Sequence, residues 1–121
     1  MVRGVLFENT PWVQIVLTWG KSVQSPFVIL DTGFTGDLQV TPAMAKELGL
    51  GVQGVATAKI ANGDIIRVPT ALAIASMEGA ENFIQVLISD SMPLLGISFL
   101  SKFGYKATVD CKFKTVVLES A

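Results

Sequence analysis

Histidine is absent from these 121 residues. That removes imidazole acid–base catalysis and every histidine-ligated zinc centre from consideration. Cysteine occurs once, as Cys111, so no disulfide can form within the chain. The residue reads as a small buried hydrophobe. As a nucleophile it would lack an imidazole to activate it, and a disulfide to another chain would need an oxidising compartment. Charge is scarce as well. Nine Lys and Arg stand against ten Asp and Glu, for a net charge of −1, and they form no basic cluster. This argues against nucleic acid or an anionic membrane as partner. No apolar run approaches the ~20 residues of a transmembrane helix. Met1 to Glu8 lacks the long apolar core of a signal peptide. A cytoplasmic location with no membrane partner is therefore expected.

What the chain does have is apolar residues, which make up 50% of it against 16% charged. A length near ~100–150 residues is typical of one domain, so residues 1–121 are expected to form a single one. Two readings of the apolarity stay open: a Val/Ile/Leu-rich β core, or surface that a partner buries. Val13, Ile15, Leu17 and Trp19 alternate with Gln14, Val16 and Thr18, the period of a half-buried strand. Gly20-Lys21-Ser22 turns the chain, and Val23 to Leu30 reads as the returning strand, with Pro26 marking an edge or bulge. Asp31 to Gly36 is a loop and Asp37 to Val40 a short strand. Thr41 can cap a short helix, Pro42 suits its first turn and Gly49 can end it.

Val52 to Ile60 and Ile65 to Ala75 read as strands joined at Ala61-Asn62-Gly63-Asp64, and Asn-Gly between such flanks predicts a two-residue hairpin loop. Phe83 to Ile88 is nearly all apolar and is expected to be buried on both faces. A second short helix should start near Gly96 and close at Gly104, before a final pair of strands, Tyr105 to Asp110 and Lys112 to Leu118. Many short strands with one or two short helices make an all-β, barrel-like domain.

The chemistry concentrates at Asp31-Thr32-Gly33, directly after the apolar run Phe27-Val28-Ile29-Leu30. The tripeptide arises by chance in on the order of a few per cent of chains this long, and its bland reading is an Asx turn after a strand. Its context is more specific. Phe27 to Gly36 resembles the active-site loop of the retropepsin-like aspartic peptidases, the single-lobe relatives of pepsin. Ala61-Asn62-Gly63-Asp64 resembles their flap tip, and Leu94-Leu95-Gly96 with the following Ile97-Ser98-Phe99-Leu100 their hydrophobic-hydrophobic-Gly motif and helix. The likeness covers roughly residues 12–119 and is greatest to small microbial cellular members.

The resemblance implies a closed or partly open barrel of the retropepsin type. It implies that Asp31 is the catalytic aspartate, that Thr32 braces the partner's loop across a dimer axis, and that Gly33 lets the backbone approach substrate. It also implies that Gly96 packs beneath the catalytic loop, and that Asn62 and Gly63 belong to the flap that closes over peptide. Phe34 departs from the small residue usual after the tripeptide and either narrows a subsite or repacks the loop. Phe34, Ile60, Ile65 and Leu94 are expected to line apolar subsites, with Ile60, Ala61, Asn62, Gly63 and Asp64 forming the flap contact.

Amide hydrolysis by water needs a base to take a proton and an acid to supply one. Two neighbouring carboxyls that share one proton fill both roles, without a covalent intermediate, metal or cofactor. The chain holds one Asp-Thr-Gly, so the expected assembly is a homodimer that brings two copies of Asp31 together. Asp37, Asp64, Asp90 and Asp110 read as solvated or turn-capping, and a dyad of Asp31 with Asp37 in one chain is not favoured. The leading expectation is an aspartic endopeptidase acting on peptide or protein. The alternative is a catalytically silent dimeric module that binds peptide on the same fold, or a structural β-domain in which Asp31 only caps a turn.

Overall fold

A computed structural model describes residues 1–59 and 62–121. The strands are β1 (Val2–Phe7), β2 (Thr10–Gln14), β3 (Val16–Trp19), β4 (Ser22–Gln24), β5 (Phe27–Leu30), β6 (Leu38–Val40), β7 (Gly54–Lys59), β8 (Ile65–Met77), β9 (Ala80–Ile88), β10 (Leu94–Leu95), β11 (Tyr105–Asp110) and β12 (Thr115–Ser120). Two short helices interrupt them, α1 (Pro42–Leu48) and α2 (Ile97–Phe103). The strands join in the order β11-β12-β1-β2-β5-β10-β6-β9-β8-β3-β4, with β7 paired to β8 off this path. The fold is all-β and the sheet is open, with β11 at one end and β4 at the other.

The period-two pattern of Val13, Ile15 and Leu17 survives, and all three are buried, but the strand is two strands. At Ile15 the chain changes partner: β2 pairs with β5, while β3 pairs with β4 and β8. The returning strand is divided in the same place. Pro26 has no N–H for a ladder and separates β4 from β5, while its carbonyl accepts the Ile15 N–H at 3.1 Å. Hydrophobic alternation reports which face is buried and carries no information about which neighbour a strand pairs with. β1, which has no counterpart in the sequence reading, pairs with β12 and β2.

Both helices have the predicted punctuation. Thr41 Oγ1 accepts the Met44 N–H at 3.2 Å, Pro42 occupies the first turn, and Gly49 ends α1 in the left-handed region at φ 77°. Gly104 ends α2 likewise at φ 65°. Side chains at zero exposure, among them Val13, Val28, Leu38, Leu95, Phe99 and Leu118, meet in one core beneath the sheet.

Two expectations of burial need correction. Phe83 is exposed, because β9 alternates and points Ile84 and Val86 inward. Cys111 is exposed in the β11–β12 turn and is no core residue. Two-residue loops join β1 to β2 (Glu8-Asn9), β3 to β4 (Gly20-Lys21) and β8 to β9, while the one expected at Asn62-Gly63 adjoins residues outside the described ones. Met77 pairs with Ala80 across Glu78 (φ 50°) and Gly79 (φ 83°), whereas between β7 and β8 the last described pair is Lys59 with Ile65. No helix among the described residues is long and apolar enough to cross a membrane.

Candidate active site

Asp31 stands at the carboxyl end of β5, and the two-residue strand β10 explains its placement. Leu94 and Leu95 run parallel to Ile29 and Leu30 on one side and antiparallel to Gln39 and Leu38 on the other. β10 therefore fills the gap between the strands that flank the 31–37 loop, and the loop crosses over its end. Its backbone is then pinned at four points. The Asp31 N–H donates to Leu95 O (2.9 Å), Gly96 N–H to Asp37 O (3.0 Å), Ile97 N–H to Phe34 O (2.9 Å) and Ser98 N–H to Gly36 O (3.3 Å). Leu94-Leu95-Gly96 is thus the part of the chain that holds the Asp31 loop.

Within the loop, Asp31 Oδ1 accepts the Gly33 N–H at 2.9 Å and Asp31 O accepts the Phe34 N–H at 3.1 Å. This is the Asx turn of the bland reading, and it also fixes the carboxylate's orientation. Asp31 is half-buried, while Thr32 and Gly33 are exposed at the loop's crest. Gly96 has no room for a side chain: a Cβ there would lie 2.1 Å from Gly36 O and 2.7 Å from Phe34 O and Cδ2. Gly36, unmarked in the sequence reading, is confined by a side chain and not by backbone, with a Cβ 2.6 Å from the Phe34 ring. The Phe34 ring therefore lies over Gly36 of its own loop and Gly96 at the start of α2.

A pocket of about 450 Å³ opens beside this loop, lined by Gly33, Phe34, Thr35 and Gly36, by Ala56 and Thr57 of β7, and by Gln85 and Leu87 of β9. Among the described residues its lining carries no charged side chain. Of the expected subsite residues that the structure describes, Phe34 is found in it. Leu94 lies outside it, beneath the loop, and Ile65 lies outside it and is strongly exposed. A smaller recess of about 240 Å³ lined by Ile74, Glu81, Asn82 and Phe83 shares no residue with it. Of the expected flap, Ile60 and Ala61 lie outside the described residues. Asn62, Gly63 and Asp64 are exposed. The Asn62 Oδ1 accepts the Asp64 N–H (2.9 Å), its Nδ2 donates to Asp64 Oδ2 (3.1 Å), and Gly63 has φ 90°.

Asp37 is the residue that sequence reasoning misjudged. It is 5% exposed, not solvated, and its Oδ2 accepts from Lys102 Nζ at 2.6 Å and from the Gln85 N–H at 2.9 Å. Its carboxylate is thereby committed to α2 and β9, not to Asp31. The partners stand 65 positions apart, beyond any local pattern. Burial alone would raise the pKa, but hydrogen bonds from Lys102, Ser98 and the Gln85 amide outweigh it and hold the carboxyl below the usual aspartate range. A carboxyl depressed in the folded state stabilises fully above its unfolded pKa and loses that contribution as pH falls through the folded one. The Asp37 share of stability should therefore persist to unusually acid solution. Denaturant melts from neutral pH downward should show that Asp37→Asn removes a component of stability present at pH 7 and already lost at strongly acid pH. A constant difference between the two proteins at every pH would refute this.

No family model and no curated relative matches the chain. Two solved structures are similar in fold. EIAV protease, complexed with the inhibitor HBY-793, superposes with a TM-score of 0.67 at 21% identity, covering 84% of this chain and 95% of that one. A retropepsin-like aspartic protease from Rickettsia conorii superposes with a TM-score of 0.63 at 19% identity, covering 98% of this chain and 88% of that one. The single-lobe sheet, with a short β10 wedged between the strands that carry Asp31-Thr32-Gly33, is the retropepsin-like fold.

Proposed function

We propose that the chain, as one domain per protomer over residues 1–121, is an aspartic endopeptidase that hydrolyses peptide bonds as a symmetric homodimer. The observation that carries this reading is the setting of Asp31. It is a half-buried carboxylate oriented by the Gly33 N–H, on a loop that β10 pins and whose residues 33–36 line a pocket. The other carboxylate of that loop, Asp37, is already paired with Lys102. A second Asp31 must come from a second copy.

A surface suited to that copy runs away from the loop. Leu94, Ile29, Trp12 and Val5 are register partners in one row across β10, β5, β2 and β1. They lie on the face opposite the fully buried Val13 and Val28, and each keeps some exposure in the single chain. Burying such a row on association is favourable at roughly 25 cal/mol per Å². The bulky Phe34, the feature that would favour a silent binder, packs its ring against Gly36 of its own loop and Gly96 at the start of α2.

In the proposed chemistry one Asp31 is ionised and the other keeps the shared proton. The ionised carboxylate takes a proton from water as the oxygen attacks the scissile carbonyl carbon. The protonated one donates to the carbonyl oxygen, giving a neutral gem-diol. On collapse the ionised carboxylate takes a proton from one diol hydroxyl as the C–N bond breaks, and the protonated carboxyl gives its proton to the leaving amine, which restores the dyad. The peptide lies extended between the loops and pairs its backbone with β-edges, and Thr32 braces the partner loop. The assembly test is sedimentation over a dilution series beside a cleavage assay. Specific activity is expected to fall as the dimer dissociates; full activity in a stable monomer would overturn the reading.

The β7–β8 hairpin is proposed as the flap. Gly63 sits exposed at φ 90°, a conformation that a β-branched residue adopts only with strain of order 1–3 kcal/mol. Gly63→Val is expected to lower kcat/KM while the thermal midpoint moves by a few degrees at most, because an exposed tip unfolds locally at little cost to the core. Global unfolding of the variant would make the hairpin a structural element and not a gate.

A further inference from the structure

Asp37 and Lys102 take no part in the chemistry above, yet they tie the 31–37 loop and β9, two of the elements that line the pocket, to α2. Asp37 ends the catalytic loop, Lys102 lies on α2, and the Gln85 and Phe83 backbone belongs to β9, which forms the pocket floor. The parallel ladder of β6 with β9 begins only at Leu38 and Val86. One residue earlier the loop has already left the sheet, and the Gln85 N–H would face an empty place. The Asp37 carboxylate fills it, accepting that N–H at 2.9 Å. Lys102 donates to the same oxygen and, at 3.3 Å, to the Phe83 carbonyl. The loop's first residue is held by β10 and its last by this cluster.

We propose that Asp37 and Lys102 are a positioning pair that fixes the catalytic loop against the pocket floor, and so sets the place of Asp31 relative to a peptide lying over Gln85. The proposal rests on the peptidase reading, but its structural half can be tested without it. An ion pair between a buried carboxylate and a lysine that keeps 39% side-chain exposure adds little net stability after desolvation and screening, so stability alone is a weak reason for this one. No apolar pair could reproduce the cap on the Gln85 N–H or the bridge from α2 to the Phe83 carbonyl.

The test uses Lys102→Met, Lys102→Arg, Asp37→Asn and the double variant Asp37→Asn/Lys102→Met, each measured for kcat, KM, melting and amide hydrogen exchange at one protomer concentration. Displacing a reacting group by about an ångström costs on the order of 100-fold in rate. Lys102→Met is therefore expected to lower kcat by about 10- to 100-fold with little change in KM. Exchange protection should fall at Gln85 and across 31–37, while the β11–β12 ladder keeps its own. Lys102→Arg should recover most of kcat, because the guanidinium still donates.

The double variant leaves no unpaired buried charge, and it should melt near wild type yet remain slow. A double variant that regains wild-type kcat along with wild-type melting would reduce the pair to a stability device. So would a Lys102→Met protein with unchanged kcat and unchanged loop exchange. If Lys102→Met does not fold, the double variant decides by the same criteria. If the wild-type protein cleaves no peptide, the peptidase reading fails. The exchange result then decides the positioning role alone, upheld by lost protection over 31–37 and overturned by its retention.

Discussion

Asp31→Asn is expected to lower kcat by at least about 10⁴-fold, because in a dimer the single substitution removes both the acid and the base. The fold should survive. Asparagine has the same shape, and its Oδ1 can accept the Gly33 N–H that Asp31 Oδ1 accepts at 2.9 Å, so the turn closes as before. Melting and sedimentation should match wild type. A mixing experiment makes the result sharper. If each active centre takes one carboxylate from each chain, one altered copy silences a dimer. An equal mixture that has exchanged subunits should then keep about one quarter of the activity of the same total amount of wild-type chain, by random pairing in a two-fold assembly. Retention of one half would mean that each chain works alone. Cleavage by pure Asp31→Asn at the wild-type rate would leave Asp31 no role.

Gly96→Ala is expected to be among the most damaging single substitutions in the chain. Gly96 has ordinary extended backbone at φ −100°, so the penalty is steric and not conformational. The new methyl would lie 2.1 Å from Gly36 O and 2.7 Å from Phe34 O. These are backbone atoms held by their own hydrogen bonds to Ile97 and Ser98, and they cannot rotate aside. Overpacking against fixed neighbours costs about 3 kcal/mol or more, equivalent for a chain of this size to a fall in Tm of roughly 10 °C. Gly36→Ala is the control. Its nearest neighbours are the far atoms of the Phe34 ring, which can swing, so the loss should be smaller and partly restored by Phe34→Leu. A Gly96→Ala protein that melts with wild type would mean that the loop does not approach α2 this closely.

These two glycines mark how far the sequence could be read. Turn and cap chemistry is local, so Thr41, Pro42, Gly49, Gly96 and Gly104 announced both helices with their ends. Alternation is local too, so Val13, Ile15 and Leu17 declared their buried face. Pairing is not local. Nothing in the spacing of residues 13–19 says that the ladder changes partner at Ile15, or that Val2–Phe7 is a strand whose partners include β12 at the far end of the chain. The same limit governs the site. Asp31 was legible because strand, turn and glycine are contiguous. The Asp37–Lys102 pair was not, because a carboxylate after a glycine-rich loop looks the same whether its lysine is in solvent or on a helix 65 positions on.

The placement of β10 also has a bearing on when this chain could first become active. Leu94 and Leu95 pair with Ile29 and Leu30 across more than half the sequence, and the Asp31 N–H has no carbonyl to meet until Leu95 is present. Contacts so distant along the chain close late, since their loop entropy must be met before they return anything. A ribosome-bound chain that has emerged only through Pro93 carries Asp31-Thr32-Gly33 in full but lacks the strand that holds it. Order of synthesis thus acts as a timer, keeping the carboxylate unplaced until Leu94 and Leu95 have been made.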